Sequence, residues 1–427
     1  MTMIADEKYR QFHRDAASRL RDVYAADAST PSGLHGILAW HWAQAGAWQD
    51  AITAALDEAE FLITQQNVHD ARGWCERSLE HLTRVAEAER PQYAIRTYSM
   101  AWTVLDFSGQ HEEALHYAQQ IHALSATSAS LMVEGGALLA LGRTHRALHN
   151  FAAAEKALRS ALDVGRRADN AMLEADALFH LGKTQQMQGR HLEAIQNYNA
   201  AHERGAVTDD RLTIAKIITS IGDVYRILGA RQQANKHYAR ALEIEEHLPG
   251  TLGIAIVQEK LALSYLELGE HERALRCQAE SLLLREHLHD EVGIARAYTV
   301  LGIIHSARGD HQTAIEAYER GLQLELSLQN IVGLVMLHNR LGDAYRALND
   351  YGSTSNHYAQ AMELAQRLSD QMGIALTSER LGDLAHEWND NHAAAQHWQT
   401  ALAIRHNLGH YDEQKSLRER LRQIGSV

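Results

Sequence analysis

One spacing constrains the fold of this chain more than any other feature, because a two-residue motif recurs every 40 residues without an insertion or deletion. The motif is a large aliphatic residue followed by a small one. Its copies are Leu141-Gly142, Leu181-Gly182, Ile221-Gly222, Leu261-Ala262, Leu301-Gly302, Leu341-Gly342 and Leu381-Gly382, with Ala101-Trp102 as a degenerate earlier copy. A fixed period of this length indicates a stack of similar structural units that bury their cores against one another.

Each copy carries the same internal offsets, which predict a hairpin of two helices. A turn residue stands seven positions after the small residue, as at Gly189 and Asn349. An alanine stands twelve positions after it, and a large residue, usually aromatic, stands sixteen after it, as at Tyr238. Apolar and small residues spaced by three and four place one stripe on each helix. The Gly or Asn supplies the left-handed conformation that ends the first helix.

Composition agrees with an all-α fold and limits the possible partners. The 427 residues include only three prolines, Pro31, Pro91 and Pro249, and 45% of the residues are apolar, enough for a continuous core. The formal net charge is −13, which argues against nucleic-acid binding because a protein that neutralises phosphates needs a cationic face. Charged residues interrupt the N-terminus and no long apolar run follows, so we expect a cytoplasmic protein that does not bind membranes.

The motif Leu-Gly-x-x-Tyr, followed by Gly, Ala, Tyr and Ala at these offsets, resembles the tetratricopeptide repeat over roughly residues 90 to 405. The usual repeat of that family has 34 residues. Similar forms of 40 residues occur in the kinesin light chain, in the Pins/LGN scaffold and in the C-terminal arms of bacterial STAND regulators. The resemblance implies an α-solenoid, a right-handed superhelix of helical hairpins, that binds a protein or peptide in a concave groove.

We expect three segments along the chain. Residues 1–88 form an N-terminal helical subdomain with a degenerate hairpin, residues 89–405 form eight hairpins of 40 residues, and residues 406–427 form a capping helix. The stretch from Leu38 to Ala51 resembles the segment that joins the ATPase module to the repeats in STAND regulators. The chain contains no GxxxxGK[ST] phosphate-binding motif, so the resemblance does not imply nucleotide binding.

The resemblance also implies which side chains line the groove, because the first helix of each hairpin faces it. The predicted groove residues stand one and four positions after the small residue and three before it. They are Arg143, Arg146, Phe179, Lys183, Asp223, Arg226, Leu263, Leu266, Ile303, Asn339, Asp343 and Arg346. The groove is then basic in its first half, apolar in its middle and acidic at its C-terminal end.

Two interpretations of these residues remain open. In the first, Arg143, Arg146, Lys183 and Arg226 receive the carboxylates of an acidic segment or chain terminus, and Leu263, Leu266 and Ile303 take an apolar anchor. In the second, the charges pair within the protein, Asp223 with Arg226 and Asp343 with Arg346, at a spacing of three residues on a solvated face.

No pattern in the chain indicates catalysis or a cofactor. HExxH and GxSxG motifs are absent, and His287 and His289 stand two apart, so they diverge on a helix and make a poor metal site. We therefore predict a non-catalytic scaffold without metal or cofactor that binds a protein or peptide. The alternative is a ligand-sensing or partner-sensing arm of a STAND-like transcriptional or signalling regulator. The sequence leaves open the identity of the partner and the oligomeric state.

Overall fold

The computed structural model describes residues 2–24, 33–65, 67–126, 128, 130–208, 210–248, 250, 252–407 and 411–426. In these residues every regular element is an α-helix, as the composition and the offsets predict. Pro31 and Pro249 lie outside the described residues. The chain forms two compact units, Met1–Ser220 and Ile221–Val427. The division into segments 1–88, 89–405 and 406–427 stays a prediction.

Unit 1 contains ten helices among its described residues and the larger part of an eleventh. The helices are α1 (Thr2–Tyr24), α2 (Leu34–Gln44), α3 (Trp48–Thr64), α4 (Val68–Arg84), α5 (Arg90–Phe107), α6 (His111–Ser125), α7 (Leu131–Ala147), α8 (Phe151–Arg167), α9 (Ala171–Met187) and α10 (His191–Thr208). The unit boundary falls inside the next helix, α11 (Arg211–Ile227).

Unit 2 continues the same alternation of first and second hairpin helices. Its helices after α11 are α12 (Arg231–Glu245), α13 (Leu252–Glu267), α14 (His271–His287), α15 (Glu291–Ala307), α16 (His311–Ser327), α17 (Ile331–Ala347), α18 (Tyr351–Arg367), α19 (Gln371–Glu387), α20 (Asn391–Asn407) and α21 (Tyr411–Gln423). In both units the odd-numbered helices from α5 to α19 are first helices, and the following even-numbered helices are second helices.

The turns explain why the period is constant. Helices α15 and α16 each have 17 residues, and three residues separate them. Gly309 and Asn349 end first helices with φ values of 87° and 60°, the left-handed conformation that the sequence predicts at these positions. Asp310 then caps the second helix, because its side chain accepts a hydrogen bond from the backbone N–H of Thr313.

The motif requires a small residue for a steric reason. A Cβ atom on Gly342 would lie 2.3 Å from Cε1 of Tyr358, which is too close for any side chain. The aromatic ring of the second helix therefore lies directly on the glycine of the first helix in the same hairpin. The same contact occurs in four other hairpins, between Gly182 and Tyr198, Gly222 and Tyr238, Gly302 and Tyr318, and Gly382 and Trp398.

The aromatic residues also join neighbouring hairpins, as the repeat pattern predicts. Tyr318 and Ile315 of α16 pack in one buried cluster with Leu337 and Leu341 of α17. Burying a large apolar side chain of this kind contributes roughly 1.5–3 kcal/mol. Each hairpin therefore depends on the next one for its core, and the first helices are held at fixed positions along each unit.

Candidate functional site

Four first helices of unit 1, α5, α7, α9 and α11, surround a cleft of about 390 Å³, which we call the unit-1 cleft. Its walls combine aromatic rings with charged side chains of both signs. The lining residues are Trp102, Gly136, Leu139, Ala140, Arg143, Asp176, Phe179, His180, Thr213 and Lys216. Arg143 and Phe179 belong to the predicted groove set, so the structure brings these two residues together.

Arg143 is held at the cleft by two neighbours. Its Nη2 donates a hydrogen bond of 2.7 Å to Oδ2 of Asp106, and its guanidinium lies 4.7 Å from the centre of the Trp102 ring. The indole is fixed in turn, because Trp102 Nε1 donates to Oγ1 of Thr144 at 2.8 Å. A guanidinium oriented in this way loses little conformational freedom when it binds a ligand.

Arg146 forms a polar contact with His180, which lines the cleft. Nη1 of Arg146 lies 3.5 Å from Nδ1 of His180. Burial, and next the positive charge of Arg146, hold the pKa of His180 well below its usual value. Burial and the charge of Arg143 also lower the pKa of Arg146. His180 is therefore neutral at pH 7, and no carboxylate of the described residues offsets the charge of Arg146 by direct contact.

Two further charges of the cleft have no partner in the described part of the chain. Lys216 is exposed and forms no ion pair there, and Asp176 accepts no hydrogen bond from a described residue. Burial, together with the negative charge of Asp210, raises the pKa of Asp176, and the nearby positive charges of Arg143 and Lys216 act in the opposite direction without forming a hydrogen bond or ion pair with it. These two side chains line the cleft without being used to hold the hairpins together.

Lys183 lies beside the cleft rather than in its lining. Its Nζ is 5.1 Å from the centre of the Phe179 ring, within cation–π distance. Phe179 itself is buried and 9% exposed. The structure thus places all four predicted groove residues of unit 1 on α7 and α9, with Arg143 and Phe179 in the wall of the cleft.

In unit 2 the aspartates of the first helices are paired within the protein. Asp343 accepts a hydrogen bond of 2.7 Å from the Tyr358 hydroxyl and bonds of 2.8 Å from Nε and Nη2 of Arg380. Two other sets repeat this arrangement at the same spacings of 15 and 37 residues. They are Asp223 with Tyr238 and Lys260, and Asp383 with Trp398 and Arg420. We call these three sets the aspartate ladder.

The ladder differs from the second interpretation of the sequence, in which Asp223 pairs with Arg226 and Asp343 with Arg346 on the same helix. Instead Arg226 bonds Glu267, and Arg346 bonds Glu387, with Nε 3.0 Å from Oε1. In each case the partner lies on the following first helix, because that helix presents a complementary charge at shorter range.

The remaining predicted residues of unit 2 take part in packing. Leu263 and Leu266 are partly buried against a cluster that contains Ile304, and Ile303 packs against the cluster of Tyr318. Asn339 is 1% exposed and donates hydrogen bonds to the backbone oxygen of Val335 and the hydroxyl of Thr377. The two leucines and Ile303 keep some exposed surface, whereas Asn339 lies between hairpins.

Sequence reasoning missed Asp176 and Lys216 in the cleft. These residues stand seven positions before Lys183 and Asp223, which is about two helical turns. A residue two turns away along a helix lies on nearly the same face. Extending the predicted positions backward by seven would therefore have found both.

Unit 2 also has a cleft of about 560 Å³, lined mainly by α12, α13 and α14. Its charged groups include Glu243, Glu246 and Glu280 together with Arg273 and Arg276. Most of these residues come from second helices, and none belongs to the predicted groove set. We therefore take the unit-1 cleft as the candidate functional site.

No helix of the described residues is both long enough and apolar enough to cross a lipid bilayer. Nor do any three His, Cys, Asp or Glu side chains of the described ranges lie together in an arrangement that could hold a metal ion.

Comparison with protein families gives one match, to the tetratricopeptide repeat. It covers residues 50–126, 135–205, 173–247 and 253–324, which together make up more than half of the chain. No curated protein matches the sequence.

Several solved structures are similar in fold to this chain. The apo form of the quorum sensor NprR from B. thuringiensis has a TM-score of 0.59 at 15% identity, covering 85% of this chain and 99% of that one. A Rap protein complexed with competence and sporulation factor has a TM-score of 0.51 at 18% identity, covering 77% and 97%. A STAND protein with a tetratricopeptide repeat sensor from Pyrococcus horikoshii has a TM-score of 0.58 at 12% identity, covering 87% and 55%. At these identities the likeness shows the fold alone.

Proposed function

Because this chain belongs to the tetratricopeptide repeat family, we propose that it is a non-catalytic scaffold that binds a peptide or protein segment along its first helices. The observation that carries the proposal is the unit-1 cleft, whose charges Lys216 and Asp176 have no partner among the described residues. Asp176 is half-buried, and a charge that is partly removed from water without a hydrogen-bond partner costs free energy in the unbound protein. A ligand that donates to Asp176 recovers this cost, and the exposed Lys216 can bind a ligand carboxylate without breaking an internal ion pair.

The cleft chemistry favours a segment with acidic and apolar side chains. Lys216 and Arg143 offer N–H donors to a carboxylate, and the Arg143 guanidinium is already oriented by Asp106. Phe179 and Trp102 supply apolar wall for a neighbouring side chain. Asp176 accepts a hydrogen bond from a ligand N–H, such as a backbone amide next to the acidic residue. In unit 2, Leu263, Leu266 and Ile303 are the predicted residues that remain partly exposed for an apolar contact.

The test begins with short random peptides displayed on phage and selected on the full chain. The dissociation constant of a selected peptide is then measured by calorimetry for the wild type and for Lys216→Glu. Reversing this charge should weaken binding by at least about tenfold, which corresponds to about 1.4 kcal/mol. The reversal should change the free energy of unfolding by less than about 0.5 kcal/mol, because Lys216 is exposed and unpaired.

Lys156→Glu is the matched control. Lys156 is also exposed and also belongs to unit 1, but it lies on the second helix α8. The same change of charge at this position should leave the affinity within about twofold of wild type, since long-range effects between exposed charges are screened. Equal losses in the two variants, or no loss in Lys216→Glu, would remove the unit-1 cleft from the proposal.

A second proposal makes the chain the sensor arm of a larger STAND-like regulator. It is supported by the fold shared with the STAND protein from Pyrococcus horikoshii, of which the alignment covers 55%. Mapping the full transcript tests this proposal. An ATPase or DNA-binding module encoded on the same polypeptide supports the sensor arm, and an independent reading frame without such a neighbour contradicts it.

A further inference from the structure

One hairpin of unit 2 keeps two parts of the aspartate ladder and lacks the third. Ile303 stands at the position that Asp223, Asp343 and Asp383 occupy in other hairpins. The aromatic residue 15 positions later and the cation 37 positions later are both present, as Tyr318 and Arg340.

The Tyr318 ring has the same position in its hairpin as the ladder tyrosines have in theirs. A Cβ on Gly302 would lie 2.3 Å from Cε1 of Tyr318, and the corresponding distance from Gly342 to Tyr358 is also 2.3 Å. The Tyr318 hydroxyl therefore lies beside residue 303, as the Tyr358 hydroxyl lies beside Asp343. Tyr318 is only 2% exposed, and no described residue accepts a hydrogen bond from its hydroxyl.

Arg340 is likewise without a partner in the described ranges. It is half-buried on the first helix α17 and forms no ion pair there. Asp343 is the nearest acid along that helix, but Tyr358 and Arg380 already occupy its oxygens. Burial raises the pKa of Tyr318 to about 12. The positive charge of Arg340 acts in the opposite direction and the negative charge of Asp343 in the same direction, so both groups lie near Tyr318, although Asp343 is already bonded to Tyr358 and Arg380.

The preceding hairpin shows what happens when the ladder is lost completely. There the three positions hold Leu263, Gln278 and Val300, so the acid, the aromatic residue and the cation are all replaced. Gln278 is fully buried and donates instead to the backbone oxygen of Ala297 at 3.1 Å. The hairpin of Ile303 differs because both donors of the ladder remain and only their acceptor is missing.

We propose that Tyr318 and Arg340 form a binding site for a carboxylate supplied by a bound peptide, which takes the role that aspartate has in the other hairpins. The source is an acidic side chain of the peptide, with apolar contact from Ile303. This proposal rests on the proposed peptide-binding function and adds a second, acid-specific contact to it. Charge-assisted hydrogen bonds to the carboxylate from a guanidinium and a phenolic hydroxyl give such a contact its strength.

The first experiment tests the site without any ligand. Ile303→Asp places the missing acceptor in the chain, and its effect on the unfolding equilibrium is measured in the wild type and in Arg340→Gln. If the Tyr318 hydroxyl and the Arg340 guanidinium converge as in the ladder, Ile303→Asp should raise the equilibrium constant of unfolding much less in the wild type than in Arg340→Gln. The two increases should differ by at least about tenfold. Equal effects in the two backgrounds would overturn the proposed geometry.

The second experiment measures carboxylate binding directly. N-acetyl-aspartate amide is titrated into the full chain while the Nε–H signal of Arg340 is followed by NMR. The signal should shift and saturate in the wild type and in Ile303→Val, which adds no acceptor, but the shift should be lost in Ile303→Asp. An unmoved signal in the wild type, or an equal shift in Ile303→Asp, would contradict the site.

Two further probes identify the chemical group that the site binds. N-acetyl-asparagine amide has the same shape without the charge and should produce no saturating shift, so a shift equal to that of the acid would overturn the proposal. N-acetyl-alanine presents only a terminal carboxylate, and weaker binding than the aspartate probe supports an acidic side chain as the natural source. Tighter binding of N-acetyl-alanine would overturn that source. None of these measurements depends on Lys216, so failure here is distinguishable from failure of the unit-1 cleft.

Discussion

The two units are built from the same kind of hairpin, but the charged side chains of their first helices differ in their bonding partners. In unit 2, Asp223, Asp343 and Asp383 are each bonded by an aromatic residue of the same hairpin and a cation of the next. In unit 1 the equivalent positions hold Arg143 and Lys183. Lys216 and Asp176 remain unpaired beside them, within the described residues.

This difference shows that net charge at a groove position is a poor guide to binding. The sequence alone makes the C-terminal end of the first-helix surface look acidic, yet Asp343 and Asp383 there are neutralised by Arg380 and Arg420. These ion pairs hold neighbouring hairpins together. Groups that remain unpaired are better candidates for ligand contacts, because a partner can bind them without first breaking an internal bond.

The largest expected effect concerns the contact between the motif glycine and an aromatic ring, which occurs in both units. Gly342→Leu and Gly182→Leu should each lower the free energy of unfolding by about 3 kcal/mol, because the new side chain collides with Tyr358 or Tyr198. Gly352→Leu is the control, since Gly352 is exposed and a Cβ there would lie 3.6 Å from the nearest contact. Chemical denaturation measures all three. A control as damaging as the other two would argue against the ring contact as the reason for the glycine.

The next prediction contrasts an aspartate from each unit. Asp343→Asn should cost about 1–2 kcal/mol, because it leaves the half-buried Arg380 without its counter-charge in a partly screened site. Asp176→Asn should leave stability unchanged or raise it by less than about 1 kcal/mol, since burial disfavours its unpaired charge. Similar losses in the two variants, measured by denaturation at pH 7, would contradict the difference between the units.

A pH dependence is expected from a histidine pair in unit 2. Nδ1 of His338 lies 3.0 Å from Nδ1 of His357, and burial, with the charge of His357, lowers the pKa of His338 to about 4. The unfolded chain then binds more protons than the folded one between pH 6.5 and 4, so stability falls as the pH falls through this window. We expect a loss of about 2 kcal/mol from pH 7 to pH 5. His338→Gln should flatten the dependence, and an unchanged slope would contradict this assignment.

The smallest effect is expected at an exposed pair of unit 2. Arg346→Gln removes the ion pair with Glu387, whose side chains are 28% and 38% exposed. Exposed pairs contribute less than about 1 kcal/mol, and salt screens them further. Thermal unfolding at low and high salt should show a small difference that shrinks with ionic strength. A large loss that is insensitive to salt would place Arg346 in the structural core of the unit.

The sequence predicted the helices and their turns, because these depend on local spacing, and Gly309 and Asn349 have the predicted left-handed backbone. Of the cleft lining it indicated Arg143 and Phe179. The contact of Gly302 with the ring of Tyr318 in the same hairpin was not predicted, because it depends on how the two helices pack. The ion pairs were not predicted, since they depend on the offset between hairpins. The 37-residue step from Asp343 to Arg380 has a physical meaning only when the position of the next first helix is known.

The most direct test of the account is hydrogen exchange of the full chain with and without a selected peptide. If the unpaired charges of the unit-1 cleft determine binding, the peptide should slow exchange in the first helices α7 and α9 and in α11 near Lys216, and should leave the second helices α8 and α10 at their free rates. Protection confined to α8 and α10, with unchanged rates in α7 and α9, would contradict it.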